Sequence, residues 1–346
     1  MKGIARKTSR RHVVSSAARV VDLCCGMGGL SVAARDLGMT IAGGVDLNPH
    51  ALRTFAKNFP DAEVILKSVR SPMVVERCRM LLNGDANQPR VVLSGPPCQG
   101  FSLAGSRDPK DSRNQVLVAV ARAIASIQPD CALIENVSTV LSMQYGDRLK
   151  KFRMILAEGN YHVLKILLNS SEFGVPQKRK RAFFIVTRQV QDHDRILGML
   201  EQYKAPAITV RDALHGLPTP AVRPDAYDDE AALSGPSNHL AMQHSERVKK
   251  KIAAIPPGTG PMSYRRLHPA RQANTLFSGH RAPPAHYAEP RSITVREAAR
   301  LQGFPDNFRI YGSFGNQMEQ VTNAVPPPLT RAVLRVLLKL SAREMH

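Results

Sequence analysis

"VVDLCCGMGGLS", residues 20–31, decides how the rest of the chain is read. An apolar run ends in Gly26, Gly28 and Gly29, and a helical pattern, LSVAARDLG, follows. Glycines at such a strand-to-helix turn let the backbone approach a ligand at the helix N-terminus, where unpaired N–H groups point outward. Asp46 closes the next apolar run, TIAGGVDLN, 20 positions after Gly26. An acidic side chain there can accept hydrogen bonds from ribose hydroxyls. A tight turn explains the glycines alone, but glycines and acid together point to a nucleoside cofactor. The dinucleotide fingerprint needs a glycine three residues after Gly28, where Ser31 stands, so a nicotinamide cofactor is disfavoured.

Outward from this stretch, short apolar runs alternate with helical patterns. HALRTFAKNF reads as a helix, RVVLSG as a strand, and NQVLVAVARAIASIQ as a helix with apolar residues at 117, 120, 121, 124 and 127. CALIENV and RAFFIVTR read as further strands. The alternation predicts an α/β, Rossmann-like domain with a mostly parallel sheet covered by helices on both faces. Ligands of such sheets bind beyond the carboxyl ends of the strands, which puts Cys98 and Glu135 on one functional edge. From about 190 to 290 the chain is rich in Pro, Gly, His and Arg (IPPGTGPMSYRRLHPARQ), as expected of a small, loop-rich domain. LTRAVLRVLLKLSAREM is an amphipathic helix with Arg331, Arg335 and Lys339 opposite its leucines, expected to dock back on the large domain. The expected division is a basic tail over 1–16, a large domain over 17–190, a small domain over 191–311, and a returning C-terminal segment over 312–346.

The formal net charge of +20 favours a polyanionic partner, of which nucleic acid is the commonest. An anionic membrane surface would also attract it, but no apolar run is long enough to span a bilayer. The N-terminus MKGIARKTSRRHVVSS lacks the apolar stretch of a signal peptide, so a cytoplasmic location is expected. Cys24, Cys25, Cys78, Cys98 and Cys131 have no zinc-type spacing, and an odd number argues against a disulfide framework. Reduced thiols and no metal are expected.

One thiol stands apart. VVLSGPPCQGFS, residues 91–102, holds Cys98 on a rigid proline corner after a strand. Here the sequence resembles the DNA (cytosine-5)-methyltransferases that use S-adenosylmethionine. In order, DLCCGMGGLS is similar to that family's cofactor loop, VDLNPHA to its ribose-binding strand end, GPPCQGFS to its nucleophile loop, and ENV at 135–137 to its catalytic carboxylate. GVPQKRKR at 174–181, RSITVREAARLQGFPD at 291–306 and VTNAVPPPL at 321–329 are similar to its later motifs. Seven matches in order, in fitting strand and helix contexts, make chance implausible.

The chemistry asks for these residue types. Carbon 5 of cytosine is a poor nucleophile until a thiolate adds to carbon 6 and the ring's nitrogen 3 is protonated or hydrogen-bonded. Cys98 is then the nucleophile and Glu135 the acid, with Arg179 and Arg181 as the cations that lower the thiol pKa. The resemblance implies that Arg181 also holds the cytosine and Glu135, and that Gln99 belongs to the catalytic loop. It implies cofactor contacts at Asp22, Cys24, Gly26, Gly28, Gly29, Leu30, Asp46, Leu47, Ser68, Val69, Pro96, Asn323 and Val325. The region before RSITVRE corresponds to target recognition, so double-stranded DNA contacts are expected at Ser102, Arg265, Arg266, Arg271 and Arg281. A stacked base is out of reach of a thiol, so the target must be flipped out. A monomer is expected, in the nucleoid of a prokaryotic or phage host, serving beside a restriction endonuclease or another defence system. Two other readings use the same fold: an RNA (tRNA) cytosine-5 methyltransferase, disfavoured because no cysteine follows Cys131, and a non-catalytic DNA-binding regulator, disfavoured by intact Cys98, Gln99, Glu135 and Arg181. Three departures, Cys24 for an aromatic residue, Ser68 for an Asp and Thr322 for a Gly, map to the cofactor side and predict a loosened grip on S-adenosylmethionine.

Overall fold

The computed structural model describes residues 18–85, 88–97, 115–142, 146–223, 236–261, 264–277 and 283–344. The large domain opens with β1 (Arg19–Leu23), α1 (Gly29–Asp36), β2 (Thr40–Asp46), α2 (Pro49–Asn58), β3 (Glu63–Leu66), α3 (Pro72–Leu82) and β4 (Arg90–Ser94). It continues with α4 (Val116–Ile127), β5 (Cys131–Val137), α5 (Gly146–Glu158), β6 (His162–Asn169), a two-residue β7 (Gln177–Lys178) and β8 (Lys180–Thr187). The seven-stranded sheet has the order β3-β2-β1-β4-β5-β8-β6. Strands β1 to β5 pair in parallel, while β8 runs antiparallel to both β5 and β6. The sheet is therefore mostly parallel, as the sequence predicts.

Alternation along the central strands explains why both faces need cover. Val20, Val91, Leu93 and Leu133 enter one core with α1, while Val21, Leu23, Val92 and Ile134 enter a second core with α3, α4 and α5. Strands buried on both faces read as continuous apolar runs, which is why β1, β4 and β5 stand out in the sequence. Elements that do not stand out lie at the margins. β3 is a four-residue edge strand with Val64 and Leu66 exposed, β6 is the other edge, and α5 buries only Phe152 and Leu156.

Beyond β8 come α6 (His193–Glu201), α7 (Val210–Leu214), β9 (Ala221–Val222), β10 (Leu240–Ala241), α8 (Glu246–Ala253) and β11 (Ala273–Asn274). The chain ends with α9 (Val295–Leu301), α10 (Phe314–Asn323) and α11 (Pro327–Glu344). The core does not break at residue 190: Ile196 and Leu200 of α6, Val210 and Leu214 of α7, and Val295, Ala298 and Leu301 of α9 join the same cluster as Val20. Thr209 and Thr294 start α7 and α9 with reciprocal capping boxes to Asp212 and Glu297, a local signal that fixes both starts. α11 packs along α1, α6 and β5, so the last helix closes over the first.

Closure depends on the glycine turn. Gly28 is left-handed (φ 99°), and a Cβ there would meet the Phe59 ring at 2.6 Å. Gly29 starts α1 directly under the segment between α10 and α11, where a Cβ would press into the Val325 carbonyl and lie 3.0 Å from its nitrogen. Gly29→Ala should therefore lower stability by about 1–3 kcal/mol through overpacking against backbone. Urea unfolding of the variant checks this, and a midpoint equal to wild type would contradict the close approach.

Candidate active site

The carboxyl ends of β1, β2, β4 and β5 open into one cleft of ≈ 430 Å³. Its floor is the turn after β1. The Gly26 N–H donates to Asp46 Oδ2 at 2.8 Å, and Asp46 Oδ1 accepts from the N–H groups of Leu47 and Asn48 at 2.7 and 2.9 Å. The Asp46 carboxylate thus ties the first turn to the second, a structural duty beside the ribose contact expected of it. Leu47 lines the same cleft with 66% of its surface exposed, an apolar side chain presented to a ligand-sized space.

Most residues expected to hold a cofactor meet here. Cys24, Gly26, Gly29, Leu30, Asp46 and Leu47 come from the first two turns, Ser68 and Val69 from the turn after β3, and Pro96, Asn323 and Val325 from the far wall. Ser68 Oγ accepts from the Arg70 N–H at 3.3 Å. Two do not line the cleft. Gly28 backs onto Phe55 and Phe59. Asp22 is fully buried beneath the turn, where Oδ2 accepts the Ser31 hydroxyl at 2.7 Å and Oδ1 has no partner. Thr322 corrects a further expectation: it faces a separate apolar cavity, and its hydroxyl donates back to the Met318 and Glu319 carbonyls at 2.9 and 3.1 Å. The departure at 322 does not reach the cleft.

The other end of the cleft carries charge. β5 and β8 pair Glu135 with Phe183 and Val137 with Arg181, so Glu135 and Arg181 are diagonal neighbours on one face. Arg181 Nε lies 2.6 Å from Glu135 Oε1, and both residues are buried. Burial raises the Glu135 carboxyl above its usual range, and the Arg181 and Arg179 charges restrain the rise. Burial likewise lowers both guanidinium groups. The QKRKR run is no uniform basic patch: Gln177, Arg179 and Arg181 are buried, while Lys178 and Lys180 between them are exposed. Arg179 lines the cleft, and its buried Nε has no partner.

Asn136, quoted within ENV with no duty of its own, has one. Its Nδ2 donates to the Pro96 carbonyl at 3.1 Å, holding the proline corner against β5. Gln320 is a site residue that sequence reasoning does not find. It lines the cleft, donates to the Tyr311 carbonyl at 2.8 Å and leaves a buried Oε1 without a partner. Its sequence context, a polar helix, gives no sign of this. Cys98, Gln99 and Ser102 lie outside the described residues, which stop at Pro97 on the cleft wall and resume at Gln115.

The expected DNA contacts separate. Arg265 and Arg271 are exposed, and Arg281 lies outside the described residues. Arg266 is a correction: its guanidinium donates to the carbonyls of Ala253, Ile255, His286 and Ala288, at 3.0 to 3.3 Å. Four of its five N–H donors thus tie its loop to the end of α8 and to the 286–288 segment, which gives the guanidinium a structural duty and leaves one donor for phosphates or base edges. Among the described residues no His, Cys, Asp and Glu cluster could hold a metal, and no helix is long and apolar enough to cross a membrane.

A family model described as C-5 cytosine-specific DNA methylase matches residues 18–339. The chain is 30% identical to the Type II methyltransferase M1.HphI of Haemophilus parahaemolyticus, over 94% of this chain and 87% of that protein. It is 29% identical to M.XorII of Xanthomonas oryzae pv. oryzae, over 92% and 84%. Among solved structures, one described as a DNA modification methyltransferase encoded within an E. coli prophage superposes with a TM-score of 0.77 at 28% identity, covering 94% of this chain and 99% of that one. The Dnmt2 methyltransferase of S. pombe shares the fold, with a TM-score of 0.64 at 17% identity over 93% and 99%.

The buried Asp22 generates a pH dependence. Burial pushes its carboxyl up to about 7, against the Ser31 hydrogen bond that favours the charged form. An acid raised on folding stabilises the folded state fully below its unfolded pKa and loses that contribution as pH rises through the folded value. Wild type should therefore lose a few kcal/mol from this group between about pH 4 and 7. Asp22→Asn should remove the loss, so that urea unfolding finds the variant near wild type at pH values below about 4 and more stable at about pH 8. Parallel pH profiles for the two proteins would contradict the burial of an acid at this position.

Proposed function

The chain belongs to the family of C-5 cytosine-specific DNA methylases, and on that premise we propose that it methylates carbon 5 of a flipped-out cytosine in a specific duplex sequence, through a covalent Cys98 adduct at carbon 6. It is a DNA (cytosine-5-)-methyltransferase. The observation that carries the finer reading is the buried Glu135–Arg181 pair, which shares one cleft with the glycine turn and with the proline corner that leads into Cys98.

The cleft fits S-adenosylmethionine by the chemistry of its lining. Leu47, Val69 and Val325 offer apolar contact to an adenosine, Asp46, Ser68 and Asn323 offer polar groups, and the orphan Gln320 oxygen asks for a donor. Bound there, S-adenosylmethionine supplies an electrophilic methyl group. The residues at the other end make the base ready for it. The Cys98 thiolate adds to carbon 6 of cytosine while Glu135, whose carboxyl is raised above its usual range by burial, protonates or hydrogen-bonds nitrogen 3. Electron density thereby reaches carbon 5, which can accept the methyl group. A base then takes the carbon 5 proton, the carbon–sulfur bond breaks, and the Cys98 thiolate is restored. Arg181 orients Glu135 throughout, and Arg179, with its unused Nε, is placed to hold the base or to favour the thiolate.

A thiol reaches carbon 6 only when the base leaves the stack, so the target nucleotide is rotated into the cleft from duplex DNA. The segment between β8 and α9 carries target recognition, with Arg265 and Arg271 as its exposed cations, and Ser102 and Arg281 complete the set proposed for DNA. Relatives named Type II methyltransferases support a modification role; we extend it to a monomer acting in the cytoplasm alongside a restriction endonuclease or another defence system.

Cys98→Ser should abolish turnover while leaving DNA and cofactor binding within about twofold. Duplex carrying 5-fluorocytosine at the target should trap wild type covalently and spare the variant, because fluorine does not leave as a proton does. An adduct formed by the Cys98→Ser protein would withdraw Cys98 as nucleophile. On the cofactor side, Ser68→Asp should tighten S-adenosylmethionine binding several-fold, since a carboxylate accepts from an adenine amino group about 1 kcal/mol better than a hydroxyl does. Calorimetric titration reads this directly, and unchanged affinity would remove Ser68 from the adenine site.

A further inference from the structure

The motif RSITVREAARLQGFPD has so far no task beyond its helix. Gln302 is its one uncharged polar side chain that is fully buried and bonded to two other motifs at once. Its Nε2 donates to the Val321 carbonyl at 2.8 Å, and its Oε1 accepts from Gln177 Nε2 at 3.2 Å. Gln177, also fully buried, donates to the Leu301 carbonyl at 3.3 Å and accepts the Leu276 N–H at 3.1 Å, and its own carbonyl accepts the Ser170 hydroxyl at 2.7 Å. Two amide side chains, each both donating and accepting, thus bridge the junction of three segments.

What lies at each end gives the junction its meaning. Gln177 begins the in-and-out alternation that delivers Arg179 and Arg181 to Glu135. Val321 is in the last turn of α10, two residues before Asn323, which lines the cleft together with Val325 on the side expected to hold the cofactor. We propose that Gln302 is a positioning residue that sets the spacing between the arginine wall and the cofactor wall of the cleft, with Gln177 as its partner on the arginine side. An amide serves where an apolar side chain of equal volume would not, because it satisfies a carbonyl on one wall and an amide on the other in a single geometry. Buried hydrogen bonds of this kind cannot be traded for water when they break, so the walls move together or not at all.

The reading rests on the proposed methyl transfer, and the test separates the two. Gln302→Met keeps volume and removes both bonds. It should weaken S-adenosylmethionine binding without DNA by roughly fivefold or more, and slow adduct formation with 5-fluorocytosine duplex at saturating cofactor by a similar factor. Gln177→Met should slow adduct formation but leave cofactor affinity within about twofold. The double variant should be no worse than Gln302→Met, as expected of residues acting through one network. Should Gln302→Met fail to fold, Gln302→Asn, which shortens the amide by one methylene, should fold and show the same pair of losses to a smaller degree. A variant that only lowers the unfolding midpoint, with wild-type cofactor affinity and adduct rate, overturns the proposal, and so do fully additive losses in the double variant. Failure of wild type itself to form an adduct would instead overturn the proposed chemistry, leaving the cofactor-affinity arm to judge Gln302.

Discussion

A carboxylate and a guanidinium taken together out of water govern much of what surrounds them. Glu135 and Arg181 meet at 2.6 Å only because β8 runs antiparallel to β5 and brings the two to diagonal positions on one face. Burying such a pair costs several kcal/mol per ion unless geometry and further hydrogen bonds compensate. The neighbouring structure is arranged to hold that geometry. Asn136, the next residue on β5, clamps Pro96, and Ser170 holds the turn before Arg179 through the Gln177 carbonyl. A charged pair built this way is less a source of stability than a fixed electrostatic edge against which a polar heterocycle can be held.

The opposite end of the cleft follows a different logic. There the constraint is close backbone approach, expressed in glycines and in a carboxylate that serves the backbone. Asp46 has three N–H donors already, so whatever binds above it meets an acid that is pre-oriented. Cys24 holds a left-handed conformation (φ 60°), uncommon for a residue with a Cβ, on the wall of the same turn. A small thiol in that position fills little of the cleft, and Ser68, which lines the same cleft, adds no charge. The two walls therefore differ in kind: one holds a buried ion pair, while on the other the charges of Asp46, Lys67, Arg70 and Glu319 line the cleft among apolar and backbone surfaces.

Much of this is legible in the residues. β1, β2, β4, β5 and β8 announce themselves as apolar runs because both their faces are covered, and the glycine turn and Glu135 follow at their ends. What is not legible depends on contacts between distant segments. β3 and β6 lie at sheet edges and keep exposed apolar residues, which blurs the pattern. Arg266 reads as a DNA contact because a sequence does not say whether a guanidinium's donors are already used, and four carbonyls take four of its five. Thr322 takes its expected place on the cofactor side from its neighbour Asn323, yet consecutive helical residues point about 100° apart, and it faces another cavity. Gln177 and Gln302 belong to recognised motifs, but nothing in either motif says that they touch.

The contact between Gly29 and the Val325 backbone joins residues separated by almost the whole length of the chain. During synthesis the glycine turn emerges early, but the wall that completes its cleft is made only after α10 has left the ribosome. Strands β1 to β5 can collect their own apolar contacts before then, whereas a ligand-binding surface that needs residue 325 cannot form on a partial chain. Competence to act on DNA therefore arrives with a nearly finished polypeptide, and translation that stops short of that point yields a product without a complete site.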